Sequence, residues 1–245
     1  MEDLLARPGP LDFDLDHKET RARLELLARY GVDLGLTRST LASAPSAQLA
    51  ETVDILSLRS RIRDPQTGQP VFADIAPRPV DVFRSFNDHD VHAVLIGGMA
   101  ASLRGAPYVT RDLDFCYDPS DQNRCAIVAA LSPLNPELDN DDQLGRDAEF
   151  HTWPDAVLHS DDPLSLHTDA GDVDLFVTVL GVGDYYAVRA AASVVYVSGA
   201  LSILALDLPD ILVSKVIVDR PGDRQHIYEI EAALRLRGSV GLNKF

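Results

Sequence analysis

The stretch Leu95–Phe115, LIGGMAASLRGAPYVTRDLDF, decides how the rest of the chain is read. The apolar run His92–Ile96 (HAVLI) predicts a strand that leads straight into Gly97–Gly98, and Met99–Arg104 predicts a short helix closed by Gly105. A helix N-terminus presents unpaired N–H groups and a partial positive charge, worth ~0.3–1 kcal/mol to an anion. Neither glycine carries a Cβ, so a phosphate can approach the backbone closely. Tyr108–Tyr117 is β-branched and aromatic and predicts a second strand. Strand side chains alternate, so Asp112 and Asp114 share one face while Leu113 and Phe115 point to the core. Arg111 falls on the opposite face and reads as structural. Two carboxylates on one rigid strand attract hard cations such as Mg²⁺, which prefer oxygen ligands. A phosphate cradle beside such a pair is a site for nucleotide chemistry.

A two-metal site needs a third carboxylate from a neighbouring strand. Downstream, Leu164–Thr168 and Val173–Val179 flank Asp169–Asp172 (DAGD), a hairpin signal. Within Gly171–Phe176 (GDVDLF), Asp174 sits between Val173 and Leu175. Asp172 shares its face and is the rival. Asp174 is preferred because it lies inside the strand, whereas Asp172 falls in the turn.

Working outward, His17–Tyr30 reads as an amphipathic helix closed by Gly31, and Ser46–Arg63 as another. The proline-rich stretch Asp64–Pro79 reads as a linker. The predicted organisation is therefore an N-terminal helical appendage with its linker over 1–79 and a main domain over 80–245. In the main domain, Val80–His89, Ser120–Leu131 and Tyr185–Ala192 predict helices. Ser132–Pro163 is mostly loop, with a strand near Phe150. Val194–Val197 and Leu201–Ala205 flank a second hairpin turn at Ser198–Ala200. Asp207 caps a helix to about Val218, and Pro221 opens a last helix ending near Gly238. Hairpins mixed with helices predict an α/β (α+β) fold with a mixed sheet rather than a doubly wound parallel one.

The 245 residues carry a net charge of −16, and its location matters more than its size. Asp112–Asp184 holds 17 acidic residues against two arginines, while Ile211–Phe245 holds 6 basic against 4 acidic. Such a chain is no whole-surface nucleic-acid binder. An acidic centre suits phosphates only when cations intervene. No apolar run is long enough for a transmembrane helix, and the acidic, proline-broken N-terminus lacks the pattern of a signal peptide. Two cysteines, Cys116 and Cys125, make neither a disulfide framework nor a four-ligand zinc site, and the expected location is cytoplasmic. The 7 histidines show no metal-binding helical spacing and read mostly as surface groups.

Gly97–Gly98, then Asp112-Leu113-Asp114-Phe115 after Met99–Arg111, resembles the signature of the DNA polymerase β-like nucleotidyltransferases. Leu166–Phe176 (LHTDAGDVDLF) is similar to the strand pair that delivers the third acid. Lys215–Asp223 (KVIVDRPGD) is similar to the Lys…Arg-Pro-x-Asp segment of the abortive-infection (AbiEii) type toxin nucleotidyltransferases. The resemblance covers about 80–237 and leaves 1–79 outside. It implies a sheet of the polymerase β-like type and a transferase that moves an NMP from an NTP, such as ATP, to an acceptor hydroxyl. It implies two Mg²⁺ ions on Asp112, Asp114 and Asp174, with Asp174 placing the hydroxyl. The triphosphate falls to Gly97 and Gly98, and Lys215 contacts phosphates or braces the site. Asp223 matches a second acidic position. Many members carry Arg where this chain has Tyr108; Arg104 and Arg111 lie nearby, and Arg104 is expected among the nucleotide-binding residues. The implied acceptor is RNA, a tRNA end first, or protein, and a cognate antitoxin is the implied partner. A non-catalytic nucleotide- or partner-binding module and a small-molecule, antibiotic-type transferase are the alternatives.

Overall fold

The computed structural model describes residues 17–59, 78–139 and 152–242. Among these, the strands β1 (Ala93–Leu95), β2 (Leu113–Tyr117), β3 (Glu137–Leu138), β4 (Leu164–Thr168), β5 (Gly171–Phe176), β8 (Ser193–Ser198) and β9 (Leu201–Ala205) form one sheet. Its order is β3–β4–β5–β2–β1–β9–β8, seven strands in all. β2 runs parallel to β5 and β1 parallel to β9, while the remaining neighbours are antiparallel. A mixed α/β architecture is thus present. Two short strands, β6 (Thr178–Val179) and β7 (Gly183–Asp184), pair separately.

Each face of the sheet is covered by what its alternation demands. α4 (Pro79–Asp88) starts with Pro79 in its first turn, where the missing N–H costs nothing, and carries Asp81 beside the positive helix end. Its Val82, Phe83 and Phe86 are buried. The rings of Phe83 and Phe86 meet Phe115 of β2 at 6.2 and 4.8 Å. Burying one such ring contributes roughly 1.5–3 kcal/mol. Alternation then sends Asp114 to the other face, where α5 (Gly97–Leu103) begins. Further helices are α6 (Asp121–Leu131), α7 (Trp153–His159), α8 (Tyr185–Ala191), α9 (Leu208–Val218) and α10 (Arg224–Leu242). No described helix is long and apolar enough to cross a membrane.

At the N-terminal end, α1 (His17–Arg29), α2 (Leu34–Ala42) and α3 (Pro45–Arg59) precede the sheet. Leu24, Leu27 and Val32 form an apolar cluster with Ala232 and Leu236 of α10. Arg23 donates to both carboxylate oxygens of Glu231 at 2.7 and 2.8 Å. Leu49 of α3 belongs to the main core. The N-terminal helices therefore pack on the body of the molecule.

Several elements differ from the sequence expectations. α2 was unexpected; its start is signalled by Asp33, whose side chain accepts the Leu36 N–H. α7 lies where a loop was expected and starts on the cap Thr152. The strand expected from Tyr108 begins at Leu113, because Ala106–Asp112 has no sheet partner and runs irregularly. The hairpin turn is tighter than DAGD: Gly171 and Asp172 already belong to β5. The expected linker, apart from Arg78 and Pro79, and the strand near Phe150 lie outside the described residues.

Candidate functional site

The parallel register of β2 and β5 pairs Leu113 with Val173, Asp114 with Asp174 and Phe115 with Leu175. The four apolar residues are buried, and the two aspartates, partly buried, emerge on the opposite face. Asp112 stands one residue before β2 and is half-exposed. The structure therefore brings Asp114 and Asp174 together as direct neighbours and sets Asp112 two residues away.

Their electrostatics follow from that crowding. Burial, then the Asp174 and Asp112 carboxylates, push Asp114 up to about 7; Lys215 and the Gly98 N–H act in the other direction. Burial and Asp172 raise Asp112, opposed by Arg111. Arg111 was expected on the opposite face, yet its Nε lies 3.5 Å from Asp112 and 3.4 Å from Asp172. Alternation does not govern it, because it sits in the irregular segment before β2. Asp172, in turn, bonds His167 at 2.7 Å.

Gly97 opens α5 with φ +62°, a left-handed conformation that favours glycine. A Cβ there would fall 2.0 Å from Asp114 Oδ2. The Ile96 N–H donates to the Asp114 carbonyl at 2.8 Å and ties this helix start to β2. At Gly98, a Cβ would fall 2.3 Å from Cε1 of Tyr108. A side chain of this protein thus occupies the space beside each glycine: Asp114 at 97 and Tyr108 at 98.

A second group closes over the first. Lys215 of α9 places Nζ 2.7 Å from Asp223 Oδ1, with both side chains mostly buried. The same ammonium lies 5.6 Å from the centre of the Tyr108 ring. His226 of α10 packs on that ring with centroids 3.9 Å apart. Burial and the Lys215 charge pull His226 below the usual histidine range, which keeps its ring neutral. No family model matches this chain, and neither does any curated protein.

Two expectations change. His226, grouped with the surface histidines, is partly buried within the site; its signal was the three-residue spacing from Asp223 at the start of a helix. Arg104, expected near the nucleotide, donates to the carbonyls of Ala205 at 2.7 Å and Ser193 at 3.0 Å and to Ser193 Oγ at 2.7 Å. Its donors hold α5 to β8 and β9. Along the C-terminal helix, Arg235 pairs with Glu231 at 2.8 Å and Arg237 with Asp207 at 2.9 Å.

The donor set fits a hard divalent cation. Asp112, Asp114 and Asp174 offer carboxylate oxygens, and burial together with the neighbouring carboxylates raises the proton affinity of Asp114, whose charge a cation would stabilise. Among the described residues, no three His, Cys, Asp or Glu side chains already converge as a metal cluster. Asp112 instead faces Arg111, and Asp114 faces Gly98.

Proposed function

We propose that the chain is a metal-dependent nucleotidyltransferase of the polymerase β-like kind, which moves an NMP from an NTP to an acceptor hydroxyl. The observation that carries the reading is the pairing of Asp114 with Asp174 on parallel strands, directly against the glycine pair that opens α5. Asp112, Asp114 and Asp174 would hold Mg²⁺, which would supply Lewis-acid neutralisation of the phosphate charge. Gly97 and Gly98, which carry no side chains, would receive the triphosphate, and Lys215 would add a cation from α9. Asp174 orients the acceptor hydroxyl and takes its proton at a carboxylate oxygen. The hydroxyl oxygen forms the new bond to the α-phosphorus, and the bond to the bridging oxygen breaks to release pyrophosphate.

RNA, with a tRNA end first, or a protein supplies the hydroxyl under this reading. Arg235 and Arg237 are engaged with Glu231 and Asp207, so an RNA acceptor would draw on Arg220 and Arg224, which flank Asp223 in the sequence. The test is incubation with α-labelled NTPs, Mg²⁺, total tRNA and cell lysate. Label on RNA, protein or a small molecule identifies the acceptor class, and Asp114→Asn should abolish it. A folded protein that neither binds nor transfers any NTP would falsify the reading and leave a non-catalytic module.

A further inference from the structure

Tyr108 lies in the space that a phosphate needs. Built on Gly98, a Cβ would stand 2.3 Å from Cε1 and 2.7 Å from Oη of Tyr108, so the ring fills the opening that the missing side chain leaves. The ring is held from two helices. His226 of α10 packs against it at 3.9 Å, and Lys215 of α9 lies 5.6 Å from its centre. The Tyr108 N–H donates to the Ala106 carbonyl at 2.8 Å, which keeps the loop folded back over α5.

The loop and α10 both rest on the N-terminal helices. Thr40 Oγ1 of α2 donates to the Gly105 carbonyl at 2.8 Å. Leu41 packs so closely on Gly105, which has φ +95°, that a Cβ there would meet its Cδ2 at 2.8 Å. Thr52 of α3 bonds Ser102 of α5 at 3.3 Å. On the other side, the two bonds from Arg23 to Glu231 hold α1 against α10, the helix that carries His226.

We propose that Tyr108 is an autoinhibitory gate on Gly98, held shut by α1–α3. Phosphates reach the glycine pair only when the ring leaves, and the N-terminal helices set how often it does. The proposal rests on the nucleotidyltransferase reading and adds to it a closed state and a role for the N-terminal helices. A protein whose competent state is fractionally populated binds its ligand more weakly by that fraction. With an open state at ~10%, removing the ring tightens binding about tenfold. Tyr108→Phe keeps the plug and its packing, so its affinity stays near that of the unaltered chain.

The experiment titrates the full chain with the α,β-methylene analogue of ATP in Mg²⁺ and, separately, follows amide hydrogen exchange across Gly97–Leu103 without nucleotide. Tyr108→Ala should bind about tenfold tighter and exchange faster at the start of α5. Thr40→Val and Arg23→Ala should move both readouts in the same direction, by less. Nucleotide binding that Tyr108→Ala leaves unchanged or weakens would overturn the gate alone. Exchange across Gly97–Leu103 that Tyr108→Ala leaves unchanged would do the same, because the ring would then not limit opening of this helix start. If no form of the protein binds the analogue, the nucleotidyltransferase reading fails and the gate fails with it.

Discussion

Asp114 and Asp174 are register partners on parallel strands, so two carboxylates share one position on the sheet face. Parallel strands lie ~4.8 Å apart, a spacing at which like charges act on each other directly. Burial, and then this neighbouring charge, push Asp114 up to about 7.

That shift makes a pH-dependent prediction. The folded-state value lies above that of the unfolded chain, so the stability contributed by the protonated form is fully present below about pH 4 and is lost as pH rises through about 7. In chelator at pH 8, Asp114→Asn should be more stable than the unaltered protein by about 1–3 kcal/mol after allowance for partial solvation. At pH 4 the two should melt alike. Thermal melts at both pH values check this. Mg²⁺ at pH 8 should raise the melting temperature of the unaltered protein and leave Asp114→Asn unmoved.

Gly97 and Gly98 should differ sharply in tolerance. Gly97→Ala meets both the left-handed backbone cost of ~1–2 kcal/mol and the Asp114 carboxylate at 2.0 Å, so denaturant unfolding should show a loss of about 2–4 kcal/mol. Gly98→Ala meets the end of a tyrosine that can swing away and should lose about 1 kcal/mol or less. Equal losses at the two positions would contradict this geometry.

Lys215→Ala should weaken NTP binding and also lower stability. Lys215 and Asp223 form a mostly buried pair at 2.7 Å. Removing the lysine leaves a buried carboxylate without its cation, which costs about 1–3 kcal/mol. Lys215→Ala combined with Asp223→Ala should recover part of the stability and none of the NTP affinity. A double-mutant cycle on unfolding free energy reads the coupling.

Arg104→Gln should unfold more easily while binding NTP as before, since its guanidinium bonds the carbonyls of Ala205 and Ser193. The expected loss is about 1–3 kcal/mol, from carbonyls left unsatisfied. Charge reversal at Arg237 should likewise destabilise, because it sets a carboxylate against Asp207, its present partner at 2.9 Å. Stability and nucleotide affinity measured on the same samples separate this bracing role from a binding role.

Much of the sheet was legible locally. The strands around Val94, Leu113–Tyr117, Leu164–Thr168 and Leu201–Ala205 are short apolar runs bounded by turn residues, and α9 carries both its cap Asp207 and Pro209. Asp114 and Asp174 could be picked out because each is a charge set between core residues. α2 is not legible locally because LGLTRSTLA has no strong apolar stripe, and its cap Asp33 is its one local signal. Arg111 and Arg104 were misplaced for a common reason. Their side chains are long, and sequence spacing says nothing of which distant carbonyl or carboxylate they reach.

The sequence by itself determined the alternation that turns Asp114 and Asp174 away from the core and the glycines that start α5, because both depend on neighbours within a few residues. Only the tertiary structure decided that β2 and β5 lie side by side in that register, that Asp114 takes the Gly98 N–H, and that Tyr108, Lys215, Asp223 and His226 close over the glycine pair. Those contacts join segments up to more than a hundred residues apart. Their geometry is set by how helices and strands pack, and no local pattern encodes it.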